Sequence, residues 1–275
     1  LNVLAVMSLA ACGEAVTAPL DTGRHLPGDW RPLHVFVLAG QSNMAGRGQV
    51  EAEDRTPIPN VWMLDRSGAW VPAVEPMHAD ILEAGVGPGR AFAAALAARD
   101  TTIAIGLVPA AVGGSGIAAW VPGASYEPLR VHPYDDALAR TRLALAHGTL
   151  AGILWHQGET DADSLRAPLY VAKLRALVVQ FRADLNAPAV PFLVGQLGQF
   201  SGRPWTPWDS VVNAAHEALP MELPFVRFVS SAGLTDMGDA THFSSASARA
   251  LGRRYADALA SMQTGATLQG HGSSR

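Results

Sequence analysis

Leu33-His34-Val35-Phe36-Val37-Leu38-Ala39-Gly40-Gln41-Ser42-Asn43-Met44-Ala45-Gly46 runs from a strand-length apolar segment straight into a polar turn flanked by glycines. A strand apolar on both faces belongs inside a parallel sheet covered on both sides. Four further runs of the same kind follow, at Thr102–Ala110, Ala151–Trp155, Val190–Leu197 and Phe225–Ser230. Between and after them, Gly89–Arg99, Tyr134–His147, Leu165–Leu185, Trp208–Leu219 and Ser244–Met262 carry apolar residues at helical spacing. Strands alternating with helices predict an α/β fold: a three-layer α/β/α sandwich on a five-stranded parallel sheet, flavodoxin-like in order. Ligands of such sheets bind beyond the carboxyl ends of the strands, where the strand order reverses. Ser42 falls at such an end.

The chain has 275 residues, 49% of them hydrophobic and only 16% charged, so it can bury a sizeable core and is not disordered across its middle. With 20 Lys+Arg against 24 Asp+Glu it has no basic excess to neutralise a phosphate backbone, and a nucleic-acid partner is not expected. Its one cysteine, Cys12, rules out a disulfide framework and a multi-cysteine metal site. Cys12 follows the short apolar run Val3–Ala11, and Leu9-Ala10-Ala11-Cys12 looks like a lipoprotein-type signal segment, residues 1–12, although no Lys or Arg precedes the run. That run falls well short of the roughly 20 apolar residues that span a bilayer. Lipid attached to Cys12 would anchor the chain to a membrane of the cell envelope, whereas a cleaved secretory signal would make it periplasmic or secreted. Residues 13–32 read as a tether, 33–263 as one folded domain, and the Gly-, Ser- and Thr-rich 264–275 as a disordered tail.

Ser42 is either the cap of the next helix or a nucleophile exposed at the crevice. A serine hydroxyl attacks at neutral pH only beside a base that is itself held by a third group. Asp239-Ala240-Thr241-His242 supplies such a pair after the last strand, with Asp236 as a rival carboxylate. Val112-Gly113-Gly114-Ser115-Gly116 follows the second strand and either shapes a turn or offers bare backbone N–H groups to an oxyanion. Ser115 lacks the Gly-x-Ser-x-Gly frame of a nucleophile elbow, because Ile117 stands at the last position. Trp155-His156-Gln157-Gly158-Glu159-Thr160-Asp161 concentrates polar groups after the third strand. A single histidine at that spacing does not match a zinc-protease helix, so no metal is expected there. Trp120, Trp205 and Trp208 lie in loop or helix-start regions and are candidates for a sugar-stacking rim.

Taken together, Gly40–Met44, His156–Glu159 and Asp239–His242 resemble the SGNH hydrolases, in the branch that holds carbohydrate esterase family 6 acetylxylan esterases and sialate O-acetylesterases. The resemblance covers about residues 33–262 and implies a serine esterase without a cofactor, acting on acetylated carbohydrate. It makes Ser42 the nucleophile, His242 the base and Asp239 the orienter. The implied oxyanion hole comprises the Ser42 N–H, the Gly114 N–H and the Gln157 side chain. Two departures are Ala240 where glycine is frequent and Thr160 where serine is frequent. The compact chain, with His156 before Gln157, points toward an acetylxylan-like substrate, with sialate O-acetyl esters as the alternative. A lipase or thioesterase of the same fold would need a larger apolar mouth, and a glycan-binding surface lipoprotein would have no use for the triad.

Overall fold

The computed structural model describes residues 32–78 and 82–270. The signal segment with Cys12, and all of the tether except Pro32, lie outside the described residues. Among those described, no helix is long and apolar enough to cross a membrane.

Seven strands form one sheet: β1 (Leu33–Gly40), β2 (Val61–Leu64), β3 (Trp70–Pro72), β4 (Ala104–Pro109), β5 (Thr149–His156), β6 (Phe192–Gly195) and β7 (Val226–Val229). They lie in the order β3-β2-β4-β1-β5-β6-β7, all parallel except β3, which pairs antiparallel with β2. The five expected strands are β1, β4, β5, β6 and β7, and their order β4-β1-β5-β6-β7 is the flavodoxin-like one. The expected count of five is corrected by the hairpin β2–β3, which extends the β4 edge. Its strands have only four and three residues, too few to show an alternation in the sequence.

The helices are the short α1 (Ser42–Ala45), α2 (Pro88–Arg99), α3 (Pro133–Leu145), α4 (Ala167–Asp184), α5 (Pro207–Glu222) and α6 (Ser245–Gly270). Side chains of β1 alternate between the two layers. Phe36 and Leu38 pack with Phe92 of α2 and Leu251 and Tyr255 of α6, while Val37 and Ala39 face Tyr134 of α3, Leu177 of α4 and Val212 of α5. Each fully buried large apolar side chain contributes roughly 1.5–3 kcal/mol, so β1 is held from both faces. Helix α6 continues to Gly270, so the tail expected to be irregular from Thr264 is helical over its first part, and residues 271–275 lie outside those described. Once a helix is nucleated, each added residue brings a backbone hydrogen bond at small entropic cost, which carries α6 past Gly265.

Two features position the site. The reversal of strand order lies between β4 and β5, on either side of β1, and opens a crevice beyond the end of β1. In addition, α6 packs along α2, and its first turn meets the segment after α1, where the Ser245 hydroxyl donates to the Gln49 carbonyl at 2.6 Å. The loop between β7 and α6 is thereby drawn across the sheet toward β1.

Candidate active site

The turn after β1 is built around a close approach to β5. Gly40 has φ +128°, and a Cβ there would fall 2.1 Å from the His156 carbonyl oxygen, so this position requires glycine. The Gln41 N–H donates to that same carbonyl at 2.9 Å. Ser42 follows as the first residue of α1, with its Oγ 3.0 Å from His242 Nε2. His242 Nδ1 lies 2.6 Å from Asp239 Oδ2. A carboxylate can only accept, so Nδ1 carries the proton and the Nε2 lone pair faces the serine hydroxyl. The second Asp239 oxygen accepts the N–H groups of Thr241 at 2.9 Å and His242 at 2.8 Å. Burial pushes the Asp239 carboxyl up, but the His242 N–H, the imidazole and the Thr241 N–H outweigh it and hold the group below the usual range. Asp239 is therefore ionised where an orienting carboxylate has to be.

Asp236 faces its own loop, accepting from the Gly238 N–H at 3.1 Å and the Ala240 N–H at 2.6 Å. Ala240 has φ +56°, a left-handed conformation that favours glycine.

The Ser42 and Gly114 N–H groups line the crevice and donate to no protein acceptor among the described residues. Gly114 holds φ +75°, and a Cβ there would lie 2.6 Å from the Tyr126 hydroxyl. Ser115 is fully buried, donating to the Val112 carbonyl at 2.8 Å and accepting the Trp120 indole N–H at 2.9 Å, so it cannot act as a rival nucleophile.

Gln157 does not join the two backbone donors. It is fully buried, and its amide nitrogen is committed to Asp161 Oδ2 at 2.6 Å, Gln41 Oε1 at 3.1 Å and the Ser115 carbonyl at 3.2 Å. Its Oε1 accepts the Tyr170 hydroxyl at 2.9 Å. With every polar atom satisfied from below, the side chain serves to tie loops together, and the expected third donor is corrected accordingly.

The three tryptophans are corrected in the same way. Trp120 is fully buried, edge-on to Trp155. Trp205, just before α5, and Trp208, in its first turn, are partly buried against the core, and Trp205 donates to the Gly198 carbonyl at 2.8 Å. None of them lines the cleft at Ser42.

Two residues that the sequence left without a role are central here. Gln41 Oε1 accepts the Thr160 N–H at 3.3 Å as well as the Gln157 amide, while Thr160 Oγ1 donates to the Gly114 carbonyl at 3.1 Å. The segment after β5 thus fastens the nucleophile turn to the Gly114 loop. Asn43 Nδ2 donates to Glu159 Oε1 at 2.7 Å and to the Thr241 carbonyl at 3.1 Å, and its Oδ1 accepts the Phe243 N–H at 3.1 Å. Burial raises the Glu159 carboxyl, yet the attraction of His156 and the Asn43 amide bring it down to about 2. His156 Nε2 stands 3.7 Å from that carboxylate, beyond hydrogen-bond distance. Among the described residues, no group of three or more His, Cys, Asp or Glu side chains is placed to hold a metal ion.

The cleft over Ser42 is open, about 420 Å³, and lined by Gln41, Arg47, Gly114, Glu159, Arg203 and His242 among others. No large hydrocarbon side chain is among the lining residues, and two of them, Arg47 and Arg203, carry guanidinium groups.

Residues 32–261 match the family described as carbohydrate esterase, sialic acid-specific acetylesterase. A probable carbohydrate esterase of Arabidopsis thaliana is 33% identical over 252 residues, which cover 84% of this chain and 91% of that one. The crystal structure of an Arabidopsis thaliana protein superposes with a TM-score of 0.74 at 31% identity, covering 84% of this chain and 98% of its own. The fold is shared with a carbohydrate acetylesterase from Xanthomonas citri, at TM-score 0.65 and 23% identity, over 84% of this chain and 57% of that one. The chain belongs to the carbohydrate esterase family described as sialic acid-specific acetylesterase, and it is a carboxylic ester hydrolase of the carbohydrate O-acetylesterase kind.

Proposed function

We propose that this enzyme removes O-acetyl groups from carbohydrate through an acyl-enzyme on Ser42. The observation that carries the proposal is the unbroken relay from Asp239 Oδ2, at 2.6 Å from His242 Nδ1, to His242 Nε2, at 3.0 Å from Ser42 Oγ, opening on a cleft. Ser42 Oγ attacks the acetyl carbonyl carbon as its proton passes to His242 Nε2, and the N–H groups of Ser42 and Gly114 face the oxygen that becomes negative. The C–O bond to the sugar then breaks, and His242 returns the proton to the departing sugar oxygen. Water repeats the sequence on the acyl-enzyme, releasing acetate and regenerating Ser42. A cleft lined by Gln41, Arg47, Thr160, Arg203 and Thr241, without large hydrocarbon side chains, supports a sugar ester over the long acyl chain of a lipase.

Two substrate classes divide on the rim. Acetylxylan-like esters were expected from the compact chain with His156 before Gln157, and His156 is fully buried, away from the cleft lining. Arg47, which also donates to the Gly46 carbonyl at 2.7 Å, and Arg203, which also pairs with Asp209 at 3.3 Å, favour the second class, O-acetylated acidic sugars, since guanidinium groups recognise carboxylates. The family description, sialic acid-specific acetylesterase, agrees with that class.

The test compares wild type with Ser42→Ala on an aryl acetate, acetylated xylo-oligosaccharides and O-acetylated sialic acid. Removing the nucleophile is expected to lower kcat by at least about 10³-fold on every ester. Undiminished aryl acetate hydrolysis by Ser42→Ala would refute the mechanism. A higher kcat/KM on the acidic sugar, reduced by Arg203→Ala with little change on the xylan ester, decides for the acidic class.

A further inference from the structure

Asn43 is 3% exposed and adjoins Ser42 in the chain. Two of its three side-chain hydrogen bonds close on the backbone immediately before and after His242, at the Thr241 carbonyl and the Phe243 N–H. The third ends on Glu159 Oε1 at 2.7 Å. The amide can be oriented in only one way, because the Phe243 N–H only donates while the Thr241 carbonyl and the carboxylate only accept. The histidine loop has further ties of its own: the Met237 N–H donates to the His242 carbonyl at 2.8 Å and the Ser244 N–H to the Thr235 carbonyl at 3.0 Å. The loop is therefore a closed unit, and Asn43 grips that unit at the residues flanking the imidazole. Ser42 is bound to the same residue by a peptide bond.

We propose that Asn43 is the positioning residue that sets the reach from Ser42 Oγ to His242 Nε2, and that Glu159 locks Asn43 in that pose from behind. The proposal rests on the reading of Ser42 as nucleophile. Proton transfer needs a heavy-atom separation of about 2.6–3.2 Å, and a misplacement of about 1 Å costs on the order of 10²-fold in rate. A carboxylate is well suited as the rear anchor, because charge-assisted hydrogen bonds are shorter and about twice as strong as neutral ones. Against the cost of burial, His156 and the Asn43 amide bring the Glu159 carboxyl down to about 2, which favours its charged form. Asn43 acts here through His242 and Ser42 and is not itself a catalytic residue.

The test exchanges the polarity of the pair. Asn43→Asp turns a carboxylate oxygen toward Glu159 and the Thr241 carbonyl, and kcat is expected to fall by about 10²-fold with KM within about twofold. Glu159→Gln alone keeps a neutral hydrogen bond to Asn43, with an expected loss of a few-fold. In the double variant the new glutamine amide donates to the new carboxylate, and kcat is expected to rise about tenfold above that of Asn43→Asp alone. A double variant no better than the product of the two single losses overturns the proposal, as does a loss in KM rather than kcat. The second outcome would assign Glu159, which also lines the cleft, to substrate contact. Should Asn43→Asp fail to fold, the Asn43→Ala background decides the same question. There Glu159→Gln adds no further loss if Glu159 acts through Asn43, and a full additional loss overturns the proposal. Ser42→Ala, assayed alongside, separates the two levels. Activity retained in Ser42→Ala refutes the nucleophile reading, whereas an inactive Ser42→Ala with additive losses at Asn43 and Glu159 refutes the positioning role alone.

Discussion

Glu75 is 2% exposed, and its carboxyl oxygens accept the Met77 N–H at 2.9 Å and the Gly87 N–H at 3.3 Å. Burial outweighs both bonds and pushes the carboxyl from the ordinary 4.5 up to about 8. Below 4.5 the folded and unfolded chains both hold the proton, and this group makes no contribution to the pH dependence of stability. Between 4.5 and 8 the unfolded chain releases the proton while the folded chain keeps it, so stability falls as pH rises. The slope is about 1.4 kcal/mol per pH unit, which amounts to roughly 5 kcal/mol across the window and is lost in full above it. Glu75→Gln removes the titration and leaves one of the two N–H groups without an acceptor, at a cost of about 1 kcal/mol. The variant is therefore expected to be slightly less stable than wild type near pH 4.5 and more stable by roughly 4 kcal/mol at pH 9. Urea unfolding of both proteins by tryptophan fluorescence, at steps from pH 4.5 to 9, measures the difference, in which the other titrating groups cancel. Two stability curves that stay parallel across this range would refute the reasoning, because they would show that Glu75 releases its proton equally readily in the folded and unfolded chains.

Asp239→Asn presents an amide to His242 Nδ1 and favours the tautomer with the proton on Nε2, so kcat is expected to fall by about 10³–10⁴-fold with Tm little changed. Asp236→Asn, whose side chain holds the loop N–H groups of Gly238 and Ala240, is expected to act mainly on Tm, and the reverse ranking in kcat would show that the wrong carboxylate has been assigned. Trp205→Ala loses the bond to the Gly198 carbonyl and packing against the core, so Tm should drop while KM for an acetylated oligosaccharide stays within about twofold. A tenfold rise in KM at unchanged Tm would restore Trp205 to a sugar-binding rim.

The fold was legible wherever a segment was long and buried on both faces. Val35, Val37, Leu38 and Ala39 of β1 are wholly buried, and such runs between helical segments leave few topologies open. The hairpin β2–β3 was not legible because Val61–Leu64 and Trp70–Pro72 are short and stand among prolines and charged residues, where β4 supplies the partner that local sequence cannot. The continuation of α6 was hidden for the opposite reason. Composition argued for an irregular tail, while a helix already nucleated over several packed turns needs little further encouragement.

The site was legible to the extent that backbone placement decides it. Ser42, Gly114, Asp239 and His242 stand at strand ends or in one tight loop, so the sheet brings them together whichever rotamers they adopt. Gln157 also stands at a strand end, yet whether its amide faces up into the crevice or down into the scaffold depends on what lies beneath. Asp161 Oδ2, the Ser115 carbonyl and Gln41 Oε1 all lie beneath it, and a buried amide nitrogen turns toward acceptors it would otherwise leave unsatisfied. The same rule accounts for Asn43, which reads in the sequence as an ordinary polar neighbour of Ser42. Its partners are Glu159, 116 positions away, and Thr241 and Phe243, 198 and 200 positions away. A residue whose role is to join three distant segments has no local signature beyond being polar where its surroundings are apolar. In this chain the polar residues packed beside Ser42 and after β5 are therefore the ones in which structure adds most to what the motifs already say.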